Sequence, residues 1–325
     1  MPSNYTEKKE TSLYTVAFYN LENLFDIYDD PNTLDDEFLP EAEKRWTQKR
    51  YQNKIFKLGT AISNIGFQST GRPPALVGIA EVENRQVVED LIQTRHLKHK
   101  EYGIIHFDSP DERGIDVACL YSKKYFELIE AEPVTLYLYT PEGERDYTRD
   151  ILKICGKLNG ERIHVLVNHW PSRRRGTNET AYRRIAAAQK NRELIQQIRD
   201  KEANAKIIIM GDFNDDPSCE SVREHLVQDD LFNPMEQLHT RYGGSLSHRS
   251  EWNLFDQIIF SANFHRYQDQ THSFSEAAIF DTELLKTYKG RFKGTPFRTY
   301  AGRKYLGGYS DHFPVYINLK LNSKS

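Results

Sequence analysis

The sequence predicts an α/β protein in which two β-sheets pack face to face and helices cover them from outside. Three observations predict it. The runs Ile207–Met210 and Val165–Val167 are apolar at every position, so both faces of those strands need cover. Leu152, Ile154, Gly156 and Leu158 alternate with Lys153, Cys155 and Lys157, the pattern of a strand covered more heavily on one face. Longer segments between the strands carry apolar residues at helical spacing instead. Two packed sheets with helices outside give each kind of strand the cover it needs.

The elements follow in chain order. Between Glu41 and Gly66, the residues Trp46, Tyr51, Ile55, Leu58, Ile62 and Ile65 recur three to five apart, which predicts an amphipathic helix with Gly66 at its C-terminal cap. Gly114–Tyr121 and Tyr125–Ile129, joined by Ser122-Lys123-Lys124, predict a hairpin. From about Asn178 to Lys201, Tyr182, Ile185, Ala188, Leu194, Ile195 and Ile198 form one face of a second helix, with Arg and Lys on the other. Asp216-Pro217-Ser218 opens a third, because proline suits a first helical turn and an Asp side chain can accept the orphan amides there. Residues 26–40 and 265–309, approximately, form long surface loops. With no internal repeat and no linker rich in Pro, Gly or Ser, one domain is expected over residues 1–325, its core at about 13–320.

Composition narrows the function classes. Hydrophobic residues are 38% of the 325 and aromatics 12%, enough for a substantial core, while the 28% charged residues mix both signs as in a soluble globular protein. No apolar run approaches the roughly 20 residues of a membrane helix, and Met1-Pro-Ser-Asn-Tyr-Thr-Glu-Lys-Lys-Glu10 has no signal-peptide core. A cytoplasmic location is expected, although a trimmed leader would leave the same start. Cys119, Cys155 and Cys219 are odd in number and far apart, which gives neither a disulfide framework nor a zinc site and fits small core residues. The acidic cluster Asp29, Asp30, Asp35, Asp36 and Glu37 lacks calcium-loop spacing and reads as a solvated loop. The net charge of −3 says little, but its distribution says more. Lys286–Tyr309 carries Lys286, Lys289, Arg291, Lys293, Arg298, Arg303 and Lys304 without an acidic residue, interleaved with Tyr288, Phe292, Phe297, Tyr300 and Tyr305. Such a segment suits a polyanion with stackable groups. Nothing in the sequence points to a protein partner.

Six junctions between apolar runs and polar residues carry the chemistry. They are Asn20 after Tyr14–Tyr19, Glu81 after Ala75–Ala80, Asn168-His169 after Ile163–Val167, Asp212 and Asn214 after Ile207–Met210, Asp256 before Gln257–Phe260, and Asp311-His312 before Phe313–Leu319. Buried strands exclude ionised side chains unless something compensates them. Repeated carboxylates at strand ends, interleaved with His and Asn, therefore point to a shared cation and a shared proton transfer.

Seven motifs in order resemble the endonuclease/exonuclease/phosphatase superfamily, nearest its bacterial nuclease-like branch. They are Phe18-Tyr-Asn-Leu-Glu-Asn-Leu-Phe-Asp26, Gly78-Ile-Ala-Glu-Val-Glu-Asn84, Arg113-Gly-Ile-Asp-Val-Ala-Cys-Leu-Tyr121, Val167-Asn-His-Trp170, Gly211-Asp-Phe-Asn214, Phe255-Asp-Gln-Ile-Ile259 and Ser310-Asp-His-Phe-Pro314. The resemblance implies a four-layer αββα sandwich with two mixed, mostly antiparallel sheets and a site at one rim. It implies a magnesium-dependent phosphodiesterase, manganese substituting, with Glu81 as principal ligand and Asn20 and Asp311 nearby. His312 and Asp256 form the family's His–Asp pair, Asp212 lies beside the attacking water, and Asn214 orients that water or a phosphate oxygen. Asp212 and His312 share the proton-transfer task. The resemblance implies that His169 contacts phosphate, with Asp116 as its orienter or else a strand-surface carboxylate, and that Asn168, Arg173 and Arg174 in the turn ending at Arg175 bind substrate or else form a solvated turn. Glu22 and Glu83 lie close by, yet strand alternation points them away.

A phosphodiester resists attack because its nonbridging oxygens are negative, so this chemistry needs a cation, an activated water and support for the leaving oxygen. Hydrolysis of nucleic acid, DNA before RNA, is the leading expectation. A phosphorylated small molecule or a lipid headgroup is the alternative on the same fold. A non-catalytic scaffold is disfavoured, since so many costly polar groups would have no use.

Overall fold

Parity along each strand decides which side of its sheet it fills, and that parity builds the layers. The structure, a computed structural model, describes residues 12–174, 176–248 and 251–324. The N-terminal decapeptide and Arg175 lie outside the described residues. The sheet strands are β1 (Leu13–Leu24), β2 (Leu76–Val82), β3 (Tyr102–His106), β4 (Asp116–Ser122), β5 (Phe126–Val134), β6 (Ile151–Leu158), β7 (Glu161–His169), β8 (Ile207–Asp212), β9 (Leu231–Phe232), β10 (Asp256–Ser261), β11 (His272–Ile279) and β12 (Val315–Leu321). One six-stranded sheet runs β11-β12-β1-β2-β4-β3 and the other β9-β10-β8-β7-β6-β5. β1 with β2 and β7 with β8 pair parallel, and the remaining neighbours pair antiparallel.

On β8, Ile207 and Ile209 pack against Ala187, Leu194 and Ile198 of α4 (Ala181–Lys201). Ile208 and Met210 face the other way and join Val165, Val167, Val16, Phe18 and Ile317 between the sheets. Gly78 shows how close the sheets approach, because a Cβ there would meet the Met210 sulfur at 2.7 Å. Outside the first sheet, Ala17, Tyr19, Val77 and Ile79 pack under Tyr51, Leu58 and Ile62 of α1 (Gln48–Asn64) and Val87 and Leu91 of α3 (Arg85–Ile92). A helical turn at Phe67–Thr70, α2, lies between these helices in sequence. The result is the four-layer αββα sandwich. Each fully buried Val, Leu, Ile or Phe contributes about 1.5–3 kcal/mol of burial, and the inter-sheet layer is made almost wholly of them.

Several expected elements differ in detail. α1 starts at Gln48, and Gly66 follows it in the left-handed region (φ 67°) as expected of a terminator. α4 starts at Ala181 with Tyr182 exposed, and its buried face includes Arg184 and Asn191 because partners are present for both. The Arg184 Nε meets the Asp215 carboxylate at 2.7 Å, and Asn191 Nδ2 donates to Asn168 Oδ1 at 2.8 Å. The third helix is a wide turn at Ser221–Val227, later than expected, since the Asp216 carboxylate instead accepts the Leu254 amide at 2.7 Å.

The expected hairpin does not form. β4 pairs within the first sheet and β5 within the second, so the turn between them crosses the sandwich. A short polar turn between apolar runs looks the same in sequence whether it folds back or crosses over. The second long loop also contains β11, which closes an edge of the first sheet against β12. Cys119 and Cys155 are buried and Cys219 half-buried, all as free thiols. Among the described residues no helix is long and apolar enough to cross a membrane.

Candidate active site

The parallel pairs bring four strand ends to one rim. β1, β2, β7 and β8 all end there, and their antiparallel neighbours β10 and β12 begin there. The inter-sheet parity of Val16 and Phe18 continues to Asn20, that of Val165 and Val167 to His169, and that of Ile208 and Met210 to Asp212. Asp212 stands opposite His169 on one side and opposite Asp256 on the other. The apolar layer between the sheets thus ends in a polar cap.

Irregular backbone aims the remaining groups. Glu22 (φ 52°), Asn23 (φ 53°), Glu81 (φ 63°) and Asn214 (φ 50°) are left-handed, which costs non-glycine residues roughly 1–2 kcal/mol each. The β1–β2 pairing slips between Asn20 and Leu24, and the β2–β4 pairing between Ala80 and Val82. Such bulges redirect side chains at functional rims. Here they bring Glu81 Oε2 to accept the Asn23 amide at 2.8 Å.

Asp212 is buried, and its two oxygens accept Asn20 Nδ2 at 3.0 Å and the Asn214 amide at 2.9 Å. Burial pushes its carboxyl up to about 6, against the opposing pull of His312. His312 Nδ1 donates to Asp256 Oδ2 at 2.6 Å. Burial alone would lower this imidazole, but Asp256, Asp212 and Asp311 outweigh it and hold the ring protonated, well above its ordinary range. His169 behaves oppositely: burial first, then Arg149 and Arg113, keep it well below 6.5 and neutral. Its Nε2 lies 3.7 Å from Asp212 and 4.0 Å from Glu81. Asp256 Oδ1 and His169 Nδ1 are buried without a hydrogen-bond partner among the described residues. Unmade bonds of this kind are costly and therefore informative.

At this rim, two groups of atoms among the described residues are candidates for a cation; His106, Asp108 and Asp116 form a further cluster away from it. Donor atoms of Asp212, Asp256 and His312 lie within 4.8 Å of one another, but His312 Nδ1 and Asp256 Oδ2 are already engaged with each other at 2.6 Å. Glu81 fits better. Its Oε2 is used by Asn23, which leaves Oε1 for a ligand role. Asp311 Oδ2 accepts Arg298 Nη2 at 2.8 Å, while Oδ1 stands 4.0 Å from His312 Nε2. Glu22 is pushed up to about 7, first by burial and next by Asp311, although the buried Lys54 ammonium stands 3.8 Å away. Glu81 Oε1, Asp311 Oδ1 and Glu22 gather oxygen donors at one place, where Arg298 and Lys54 answer part of their charge. These oxygen donors suit a hard divalent ion.

The structure brings Asn20, Glu81, His169, Asp212, Asn214, Asp256, Asp311 and His312 to this rim, and it engages three of the other four expected residues elsewhere. Asp116 does not orient His169. Its oxygens take His106 Nε2 at 3.1 Å and the Ser109 amide at 2.9 Å. Asn168 is not available to substrate, because alternation along β7 turns it toward α4, where it accepts Asn191 Nδ2 and Trp170 Nε1. Arg173 is held by Asp215 (2.6 and 3.0 Å) and the Asn214 carbonyl (2.6 Å), which makes it a structural tie. Arg174 is exposed and makes no ion pair among the described residues. Asn214 Nδ2 donates to the Trp170 carbonyl at 2.9 Å, leaving its oxygen for the site.

Sequence reasoning missed Glu22, Lys54 and Arg113. Strand alternation is no guide to Glu22, because two consecutive left-handed residues turn the chain there. Lys54 bonds Thr299 Oγ1 at 2.5 Å and the Tyr309 carbonyl at 2.7 Å, and it stands on the Tyr51–Leu58 stripe of α1, where a lone lysine is itself a signal. Arg113 donates to Asn23 Oδ1 at 2.5 Å, beside Glu81. In the basic segment, Tyr288 and Phe292 are exposed, whereas Arg298 pairs with Asp311 and Arg303 with Glu43.

Comparison with known proteins agrees with this geometry. A model of the Endonuclease/Exonuclease/phosphatase family matches residues 15–321. A search of curated proteins finds no match. Among solved structures, a family protein from Bacteroides thetaiotaomicron superposes with TM-score 0.60 at 17% identity, covering 96% of this chain and 99% of that one. D. rerio TDP2 complexed with a single-strand DNA product gives 0.55 at 15% identity, covering 95% and 99%. A mannosyl-6-phosphatase of Bacteroides thetaiotaomicron gives 0.57 at 16% identity, covering 94% and 99%. At such identities these likenesses speak to the fold.

Proposed function

We propose that this chain, which belongs to the endonuclease/exonuclease/phosphatase family and is thereby a metal-dependent hydrolase of phosphate esters, acts as a phosphodiesterase on nucleic acid, DNA above RNA, with magnesium as its ion and manganese as a substitute. The observation that carries the reading is the convergence of Asp212, the His312–Asp256 pair, neutral His169 and Glu81 on one rim. Glu81, Asn20 and Asp311 are the groups that would hold the ion, and a bound divalent cation neutralises charge on the nonbridging oxygens.

The side chains divide the remaining work. A base must arrive without its proton, and Asp212 at about 6 does so at neutral pH, whereas His312 is held protonated. Asp212, fixed by Asn20 and the Asn214 amide, takes a proton from the attacking water. His312, its tautomer set by Asp256, donates toward the phosphate as negative charge develops. His169 approaches the phosphate from β7, and the Asn214 side-chain oxygen orients the water or a phosphate oxygen. Nucleic acid as substrate is supported by the exposed Tyr288 and Phe292 with Lys289, Arg291 and Lys293, and by the DNA product carried by the similar TDP2.

The second reading, a small phosphomonoester, is favoured by the likeness to the mannosyl-6-phosphatase. Purified protein is expected to cut DNA with Mg²⁺ or Mn²⁺ and to stop with EDTA. Turnover of monoesters, inositol phosphates or lipid headgroups with nucleic acid untouched would sink the nuclease reading.

A further inference from the structure

We propose that the small cavity lined by Arg149 and Pro171, just past the end of β7, is a subsite for a second phosphate of the substrate, one linkage from the scissile one, bound by Arg113 and Arg174. The cavity encloses about 180 Å³. That is roughly the volume of six waters, room for a phosphodiester group with part of its hydration.

Four arginines line it. Two are neutralised, Arg149 by Asp111 at 2.9 Å and Arg183 by Asp146 at 2.7 Å. Arg113 and Arg174 pair with no carboxylate among the described residues, and with Glu112 also in the lining the four arginines face three acids, an excess of one positive charge. Its wall is rich in donors: Thr148 Oγ1 and Arg149 Nε are buried without an acceptor among the described residues.

Proximity to the reacting centre is fixed through backbone. Arg149 Nη2 donates to the carbonyl of Trp170, the residue after His169, and the same carbonyl accepts Asn214 Nδ2. Arg149, Arg113 and Arg174 are all close enough to help depress His169. The neighbouring cavity of about 940 Å³ is lined by Asp26, Asp29, Asp30, Glu83, Asp108 and other acids, with no basic side chain in its lining. An anionic chain leaving the site on this side is thereby turned away from the acidic cavity and into the arginine-lined one. This inference rests on the nucleic-acid reading and adds that the substrate spans more than one phosphate.

The test uses an oligonucleotide in which the linkage flanking the cut is a neutral methylphosphonate. The wild-type protein is expected to lose about 10- to 100-fold in kcat/KM on it, the worth of a charge-assisted contact, and Arg174→Ala to lose less than about 3-fold from its own lower value. Binding of the all-phosphate strand in EDTA, followed by anisotropy against salt, is expected to show a slope reduced by about 0.7 in Arg174→Ala. A methylphosphonate without effect on the wild type, or with the same effect on the variant, overturns the subsite while leaving nuclease activity intact. Should the wild type leave the all-phosphate strand uncut, the nucleic-acid reading fails separately. The subsite is then judged on an inositol bisphosphate against the monophosphate: a preference that Arg174→Ala removes sustains it, and equal turnover ends it.

Discussion

Strand β7 has a histidine–carboxylate pair near each end, about 26 Å apart at eight strand steps, and the two pairs could hardly differ more. At its start, Glu161 Oε2 accepts His272 Nδ1 at 2.7 Å and the His272 amide at 2.6 Å, and its Oε1 meets Lys206 at 2.8 Å. Asn159 completes the network at His272 Nε2, 3.1 Å away. At the other rim, His312 Nε2 faces Asp311 only at 4.0 Å, and Asp256 Oδ1 and His169 Nδ1 have no partner among the described residues. A buried histidine beside an acid is therefore no mark of catalysis by itself. The closed network is a fastening; the open one has valences left for substrate, water and ion.

Substitutions at the two rims should accordingly separate activity from stability. The largest effect is expected from Asp212→Asn and His312→Ala, each lowering kcat on DNA by at least about 10²-fold; melting temperature holds or rises in Asp212→Asn, which removes a costly buried charge, and falls in His312→Ala, which leaves buried Asp256 without its partner. Loss of fold in either, seen by circular dichroism, would erase the contrast. Asp256→Asn should follow with a fall of about 10- to 10²-fold, because His312 loses its orienting and charge-holding partner.

Glu161→Gln should do the reverse. Leaving Lys206 and His272 unpaired costs about 3 kcal/mol by urea denaturation at pH 7, with kcat within about twofold. Its pH dependence has a definite sign. Burial pulls the Glu161 carboxyl upward, but His272 and Lys206 outweigh it and hold it below its usual 4.5. The stabilisation is thus complete above 4.5 and fades as pH falls through the lower folded value, so variant and wild type should converge on acidification. A gap that widens in acid would contradict the pairing. The smallest effect is expected from Arg173→Lys, which loses the planar grip on Asp215 at about 1–2 kcal/mol without raising KM more than about twofold.

The contrast also explains what could be read from sequence. Strand ends announce themselves wherever an apolar run stops at Asn, Asp or His; Asn20, Asp212 and Asp256 follow from that pattern with period-2 parity, while His312 precedes its strand and follows from the junction alone. The same parity places Asn168 against α4, and applied strictly it removes that residue from the site. Glu22 shares the parity of Asn20, and two left-handed residues then turn it to Lys54 and the Thr299 amide, a course that no period-2 reading anticipates. Arg173 and Asp116 went astray because a charge seeking substrate and a charge already answered by Asp215 or His106 look alike until the chain is folded. The crossing from β4 to β5 escaped for a kindred reason, since Ser122–Lys124 fixes a turn but not the sheet it leads to.

The most direct measurement is an anomalous difference map from crystals grown with Mn²⁺. One peak bonded to Glu81, with the His312–Asp256 bond intact, is the expected result. A peak seated among Asp212, Asp256 and His312 would mean that a metal, not a proton, holds that trio together, and the division of roles between the base and the cation site would be wrong.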